Sequence, residues 1–166
     1  YMLPRRIGHD IQTIPNKDLT MRIAILCMAV ILMSATTGHA FFGLFGAEEN
    51  VKAQNGTITI NVSKLSSGEA KHYKFTEGKT FIRFFVLKDK QGVVRVAQDA
   101  CEVCWREDKG YKLQDGAMLC VNCGMKFQLS RIGMVRGGCN PHPVAFSLDG
   151  ENVSITAKEL LGGAGL

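Results

Sequence analysis

Two Cys-x2-Cys pairs, Cys101/Cys104 and Cys120/Cys123, stand fifteen residues apart in "DACEVCWREDKGYKLQDGAMLCVNCGMKF" (99–127). A fifth thiol, Cys139, follows in "GGCNPHP" after another fifteen residues. No other feature constrains the fold as strongly. Two residues between thiols let both sulphurs of a tight turn point at one centre, and two such turns complete a tetrahedron. Thiolates in this pattern suit zinc or iron–sulphur centres. Gly124 after Cys123 gives the second turn a flexible backbone whose N–H groups can approach sulphur, a feature the first turn, followed by Trp105, lacks.

Competing chemistries are weaker. Disulfides suit an exported chain, but with Cys27 inside the apolar run of an expected signal, the five remaining thiols cannot all pair. A c-type haem requires histidine directly after a Cys-x2-Cys pair, and here Trp105 and Gly124 stand there. Thiol–disulfide exchange wants a pair opening a helix that lowers a thiol pKa, and neither pair opens a predicted helix of any length. Cys139 sits among two glycines and two prolines, which impose a geometry. It is read as a further ligand or a substrate-facing thiol rather than a buried apolar side chain. His142, three residues on, is a further candidate metal ligand through its imidazole, although a lone histidine in a Pro-rich turn is more often simply solvated. His72 reads as a solvated residue on the polar side of its strand. Glu102, Glu107, Asp108 and Asp115 form either a solvated face or an attractor of cations. Trp105, Tyr111 and Phe127 are expected to pack a small core around the centre.

The first forty residues are read as lying outside the fold. "MRIAILCMAVILMSATTGHA" (21–40) has an arginine, an apolar run from Ile23 to Met33 and small residues ending at Ala40, the layout of a secretory signal. The run is short for a membrane span, although "FFGLFGA" (41–47) extends it, so a single uncleaved anchor is the alternative. Residues 1–20 read as an over-extended start before Met21, and Arg5-Arg6 lie too far from the apolar run for a twin-arginine signal. Periplasmic or other extracytoplasmic location, with or without inner-membrane anchoring, is therefore expected. The net charge of +5 shows no basic stripe, which argues against a nucleic-acid partner.

Beyond a linker at 41–55, the chain predicts a mainly β domain over 56–161 and a frayed tail at 162–166. It is a small antiparallel domain of about six short strands, with a Cys-rich, zinc-ribbon-like insert and a short C-terminal helix. "GTITINVSKL" (56–65) alternates as a half-buried strand. "AKHYKFTEG" (70–78) sets Tyr73 and Phe75 against His72 and Lys74. "TFIRFFVLKDKQGVVRVAQDA" (80–100) predicts a hairpin around Asp89-Lys90-Gln91-Gly92 that pairs Phe85 with Val96 and Phe84 with Ala97. Phe81, Phe84, Phe85 and Val86 cover both faces of its first strand, which marks an interior strand. Asp149-Gly150 turns a second hairpin, and Thr156-x-x-Glu159 has capping-box spacing for a helix through Leu161. No hydrolytic triad, phosphate loop or paired carboxylates occur, so a carrier or binding role is expected rather than an enzyme.

The stretch "IRFFVLKDKQGVVRVAQDACEVCWREDKGYKLQDGAMLCVNCGMKF", with "GGCNP", resembles the FtrD-like family of bacterial membrane-associated iron–sulphur proteins. The resemblance spans about residues 56–161 and rests on the Phe-rich strand, Asp99-Ala100-Cys101, Gly110-Tyr111, both cysteine pairs and Gly137-Gly138-Cys139-Asn140-Pro141. It implies a redox partner in ferrous-iron uptake, working beside a membrane permease and periplasmic metal or redox proteins. It also implies Cys101, Cys104, Cys120, Cys123 and Cys139 as ligands of an iron–sulphur cluster. The residues themselves keep two alternatives open. One is a structural zinc ribbon acting as a protein-interaction module, since a chain exported unfolded meets zinc more readily than a preformed cluster. The other is a thiol-redox or metal-delivery protein that uses Cys139.

Overall fold

The computed structural model describes residues 48–163. The expected signal, the expected over-extended start and the last three residues of the tail fall outside them.

A four-stranded sheet forms the centre of the architecture, in the order β1 (Glu49–Val51), β3 (Ala70–Glu77), β4 (Thr80–Lys88), β5 (Val94–Gln98). β1 runs parallel to β3 and the other pairs are antiparallel. β1 lies within the stretch expected to be linker. One face of this sheet packs on a three-stranded antiparallel sheet of β2 (Thr57–Asn61), β10 (Asn152–Thr156) and β9 (Ser147–Asp149). The other face packs on a meander of β6 (Tyr111–Gln114), β7 (Ala117–Cys120) and β8 (Lys126–Gln128).

The alternation of β4 produces these two cores. Ile82, Phe84 and Val86 point into the first, with Ile58, Ile60, Val153, Ile155 and Leu160. Phe85 and Leu87 point into the second, with Ala97, Met118, Leu129 and three of the cysteines. A strand covered on both faces must be apolar at consecutive positions, as "FFVL" is. Phe81 departs from the expectation: at the start of the strand it is 47% exposed.

The hairpin register differs from expectation by one residue. Phe85 faces Ala97, Phe84 faces Gln98 and Val86 faces Val96. When both faces are apolar the hydrophobic pattern does not select a register, so the turn decides. Here Asp89, 1% exposed, accepts hydrogen bonds from the N–H groups of Gln91 (3.0 Å) and Val93 (2.9 Å) and from Arg95 Nε (3.0 Å). That closes a loop one residue longer than expected. The described residues hold ten strands, more than the six or so expected, because the cysteine region builds a sheet of its own.

The C-terminal helix α1 (Ala157–Gly162) starts at Thr156, whose Oγ1 accepts from the Glu159 N–H at 3.2 Å. Glu159 does not complete the box but turns to the Ala145 N–H at 3.0 Å. Gln98 Nε2 then holds the Leu160 carbonyl at 3.0 Å, fastening α1 to β5.

Candidate metal centre

Three chain segments bring the five thiols together, each anchored to a sheet. β5 leads into the first pair. The Asp99 N–H continues its ladder to the Arg83 carbonyl (2.9 Å), so Cys101 leaves a fixed backbone. The Cys104 N–H donates to Cys101 Sγ at 3.2 Å, and the Trp105 N–H donates to the Cys101 carbonyl at 3.1 Å. A single 3₁₀ turn (Trp105–Glu107) follows and ends at Asp108, whose φ of +51° does the work a glycine would do. Arg83 secures that turn by donating to the Asp108 carbonyl (2.7 Å) and pairing with its carboxylate.

The second pair caps β7. Cys120 closes the strand, its N–H donating to the Met125 carbonyl and its carbonyl accepting from Gly124, both at 2.9 Å. Gly124 takes φ +76°, which accounts for the glycine after Cys123. The third segment lies beside β5. The Gln98 N–H donates to the His142 carbonyl (2.8 Å) and the His142 N–H to the Ala100 carbonyl (3.0 Å), while Pro143 bridges Ala97. Gly137 and Gly138, at φ +96° and +60°, then turn the chain so that Cys139 faces the first pair.

The sulphurs of Cys101, Cys104 and Cys139 all lie within 4.8 Å of one another, as do those of Cys104, Cys120 and Cys123. Cys104 is common to both sets and stands 4.0 Å from Cys139. Cys101, Cys104 and Cys120 are buried, Cys139 is half-buried and Cys123 is exposed; all five are free thiols. The donor set is all sulphur and fits a thiophilic metal or cluster. His142 joins neither sulphur set. Its ring is buried, Nδ1 has no hydrogen-bond partner among the described residues, and burial lowers its pKa.

Electrostatics divides the thiols. Burial pushes Cys101 up, but its polar neighbours, among them the Cys104 N–H that donates to its sulphur, outweigh it and leave the thiol below its ordinary value. The Met125 N–H lowers Cys123. Burial pushes Cys120 up to about 11 and Cys139 up to about 12. Backbone N–H groups aimed at sulphur favour thiolate and therefore metal ligation.

Tyr111 organises the surroundings. Its hydroxyl donates to the Cys139 carbonyl at 2.7 Å and its N–H to Asp99 Oδ1 at 2.6 Å. Its carbonyl accepts from His72 Nε2 at 3.1 Å, and its ring packs on Phe85 and Phe127. Asp99 is buried, which raises its pKa against the pull of His72 and the Tyr111 N–H. A Cβ on Gly110 would stand 2.5 Å from Asp99 Oδ2, so Asp99 and Gly110-Tyr111 form one contact.

His72 and Asp99 are the supporting residues that spacing did not single out. His72 was expected on a solvated face, but that face is roofed by the meander. The available signal lay in β4: a strand apolar on both sides requires a second cover, and the cover extends over β3. Tyr111 and Phe127 pack as expected, whereas Trp105 is 42% exposed.

The family model described as "Membrane iron-sulfur containing protein FtrD-like" matches residues 65–166. No curated protein and no solved structure matches the chain. Among the described residues no helix is long and apolar enough to cross a membrane.

Proposed function

The chain belongs to the FtrD-like family, and from that premise we propose that it is an extracytoplasmic electron-transfer protein of an iron-uptake or related metal-transport system. In this reading its thiolates, from Cys101, Cys104, Cys120, Cys123 and Cys139, hold an iron–sulphur-type centre at the outer side of the inner membrane. A membrane permease or a periplasmic metal or redox protein is its partner. The observation that carries the proposal is the convergence of all five thiols into two sulphur sets sharing Cys104.

A cysteine-ligated iron–sulphur centre supplies one-electron redox chemistry when bound. The chain's own residues set its environment. The Cys104 N–H donates to Cys101 Sγ, and hydrogen bonds to sulphur are one of the means by which a protein sets such a potential. Phe85, Met118, Leu129 and Ile132 exclude water from the Cys101 and Cys120 side. Cys123 is exposed and gives the centre one edge that a partner can approach.

One observation favours a structural zinc as the second reading. A tetrathiolate zinc has sulphurs about 3.8 Å apart, from a Zn–S bond of roughly 2.3 Å, and the Cys104–Cys139 separation of 4.0 Å is close to that. Anaerobic purification of the full chain separates the two readings. Visible absorption that dithionite bleaches and air restores is the expected result. A colourless, stoichiometric zinc protein would overturn the electron-transfer reading in favour of an interaction module.

A further inference from the structure

A cavity of about 350 Å³ opens between the first residues of β4 and the first cysteine pair. That is the lower part of the range of small-molecule sites. Cys101, Cys104 and Cys120 form part of its wall, but Cys123 and Cys139 do not line it. It reaches away from the thiols to Thr80 and Phe81, so it is more than the space a metal centre between the cysteines would fill.

Besides Tyr111, two large aromatic side chains line it, Phe81 at 47% and Trp105 at 42% exposure. Neither belongs to either hydrophobic core. Each has a cation near its ring, Lys74 Nζ 4.3 Å from the Phe81 centroid and the Arg106 guanidinium 5.4 Å from that of Trp105. Exposed aromatics on a concave wall offer stacking surface to a flat ring. Two arginines also line the cavity. Arg83 is committed to Asp108 and Glu48, whereas Arg106 pairs with no carboxylate among the described residues. Its guanidinium is therefore available to an oxygen acceptor.

The geometry points to a binding site for a quinone-type ring, seated against Phe81 and Trp105, with a carbonyl oxygen on Arg106 and one edge turned to the Cys101–Cys104 wall. An electron-poor flat ring suits electron-rich aromatic faces, and its carbonyl oxygens suit an uncommitted guanidinium. The choice of a redox-active ring rests on the electron-transfer reading above; the cavity, its aromatics and Arg106 do not.

Equilibrium dialysis of the metal-loaded full chain against duroquinone tests the site. Its four non-carbonyl ring carbons are all methylated, so thiols do not add to it readily. Saturable binding of one molecule per chain is expected, with saturable quenching of Trp105, the sole tryptophan. Phe81→Ala combined with Trp105→Ala is expected to weaken binding at least tenfold. Trp105→Phe, which keeps a stacking ring, should stay within about threefold of the parent. Absence of saturable binding, or an unchanged affinity in the double variant, would overturn the proposal. The two readings fail separately. A reducible centre without duroquinone binding removes only the cavity site. Binding to a chain whose metal is redox-silent upholds the site and removes the electron-transfer role.

Discussion

Gly110 and Asp89 show how single positions hold this molecule. Gly110 sits at φ +61° with Asp99 where its Cβ would be. Gly110→Ala therefore combines left-handed strain with displacement of the carboxylate that receives the Tyr111 N–H. A loss of roughly 1–3 kcal/mol is expected, readable as a lower midpoint in urea. Asp89 carries a pH dependence. Burial pushes its carboxyl up, but the Val93 N–H, Arg95 and the Gln91 N–H more than reverse that, so its folded pKa lies below the ordinary value. The unfolded carboxyl titrates near pH 3.9, and between the two values the unfolded chain binds more protons. The stabilisation is thus complete above the unfolded value and is lost as pH falls through the folded one. Asp89→Asn should cost about 1.5–3 kcal/mol at pH 7. It should also flatten the fall in stability below about pH 4 in thermal melts; an unchanged acid limb would show that Asp89 does not supply it.

At the scale of elements, the second cysteine turn is legible in sequence because Gly124, at φ +76°, marks it. The capped C-terminal helix and the interior position of β4 are legible for similar local reasons. The hairpin register was not, since both faces of β4 are apolar and Asp89's turn chemistry distinguishes one pairing from the next. Nor was His72, whose surroundings depend on which sheet covers β3. Asp99 and Gly110-Tyr111 stand as separate features in the sequence and meet only once β6 lies beside the end of β5. The Gly137–Pro143 segment is the element whose role is most open to test. It is fastened to β5 and presents Cys139 to Cys104. Cys139→Ser is expected to lower metal affinity at least tenfold in a competition with a chromophoric chelator, while far-ultraviolet circular dichroism stays unchanged. Full metal occupancy at parental affinity would mean that Cys139 has another role.

The whole molecule divides its stability unevenly between two cores. The core between the central sheet and the β2-β10-β9 sheet is built from aliphatic and aromatic side chains and contains no cysteine. The core under the meander includes three cysteines among its ten buried residues, so a metal bound as proposed would supply part of the folding free energy there. Chelation should therefore raise amide hydrogen exchange in β6–β8 and both cysteine turns while β2, β4 and β10 remain protected. Uniform loss of protection would indicate a single cooperative unit instead. The central claim, that these five thiols hold one thiolate metal centre, is tested most directly by X-ray absorption at the edge of the metal carried by the anaerobically purified chain. A first shell of sulphur alone is predicted. A shell containing nitrogen or oxygen, or a chain that carries no metal, would contradict it.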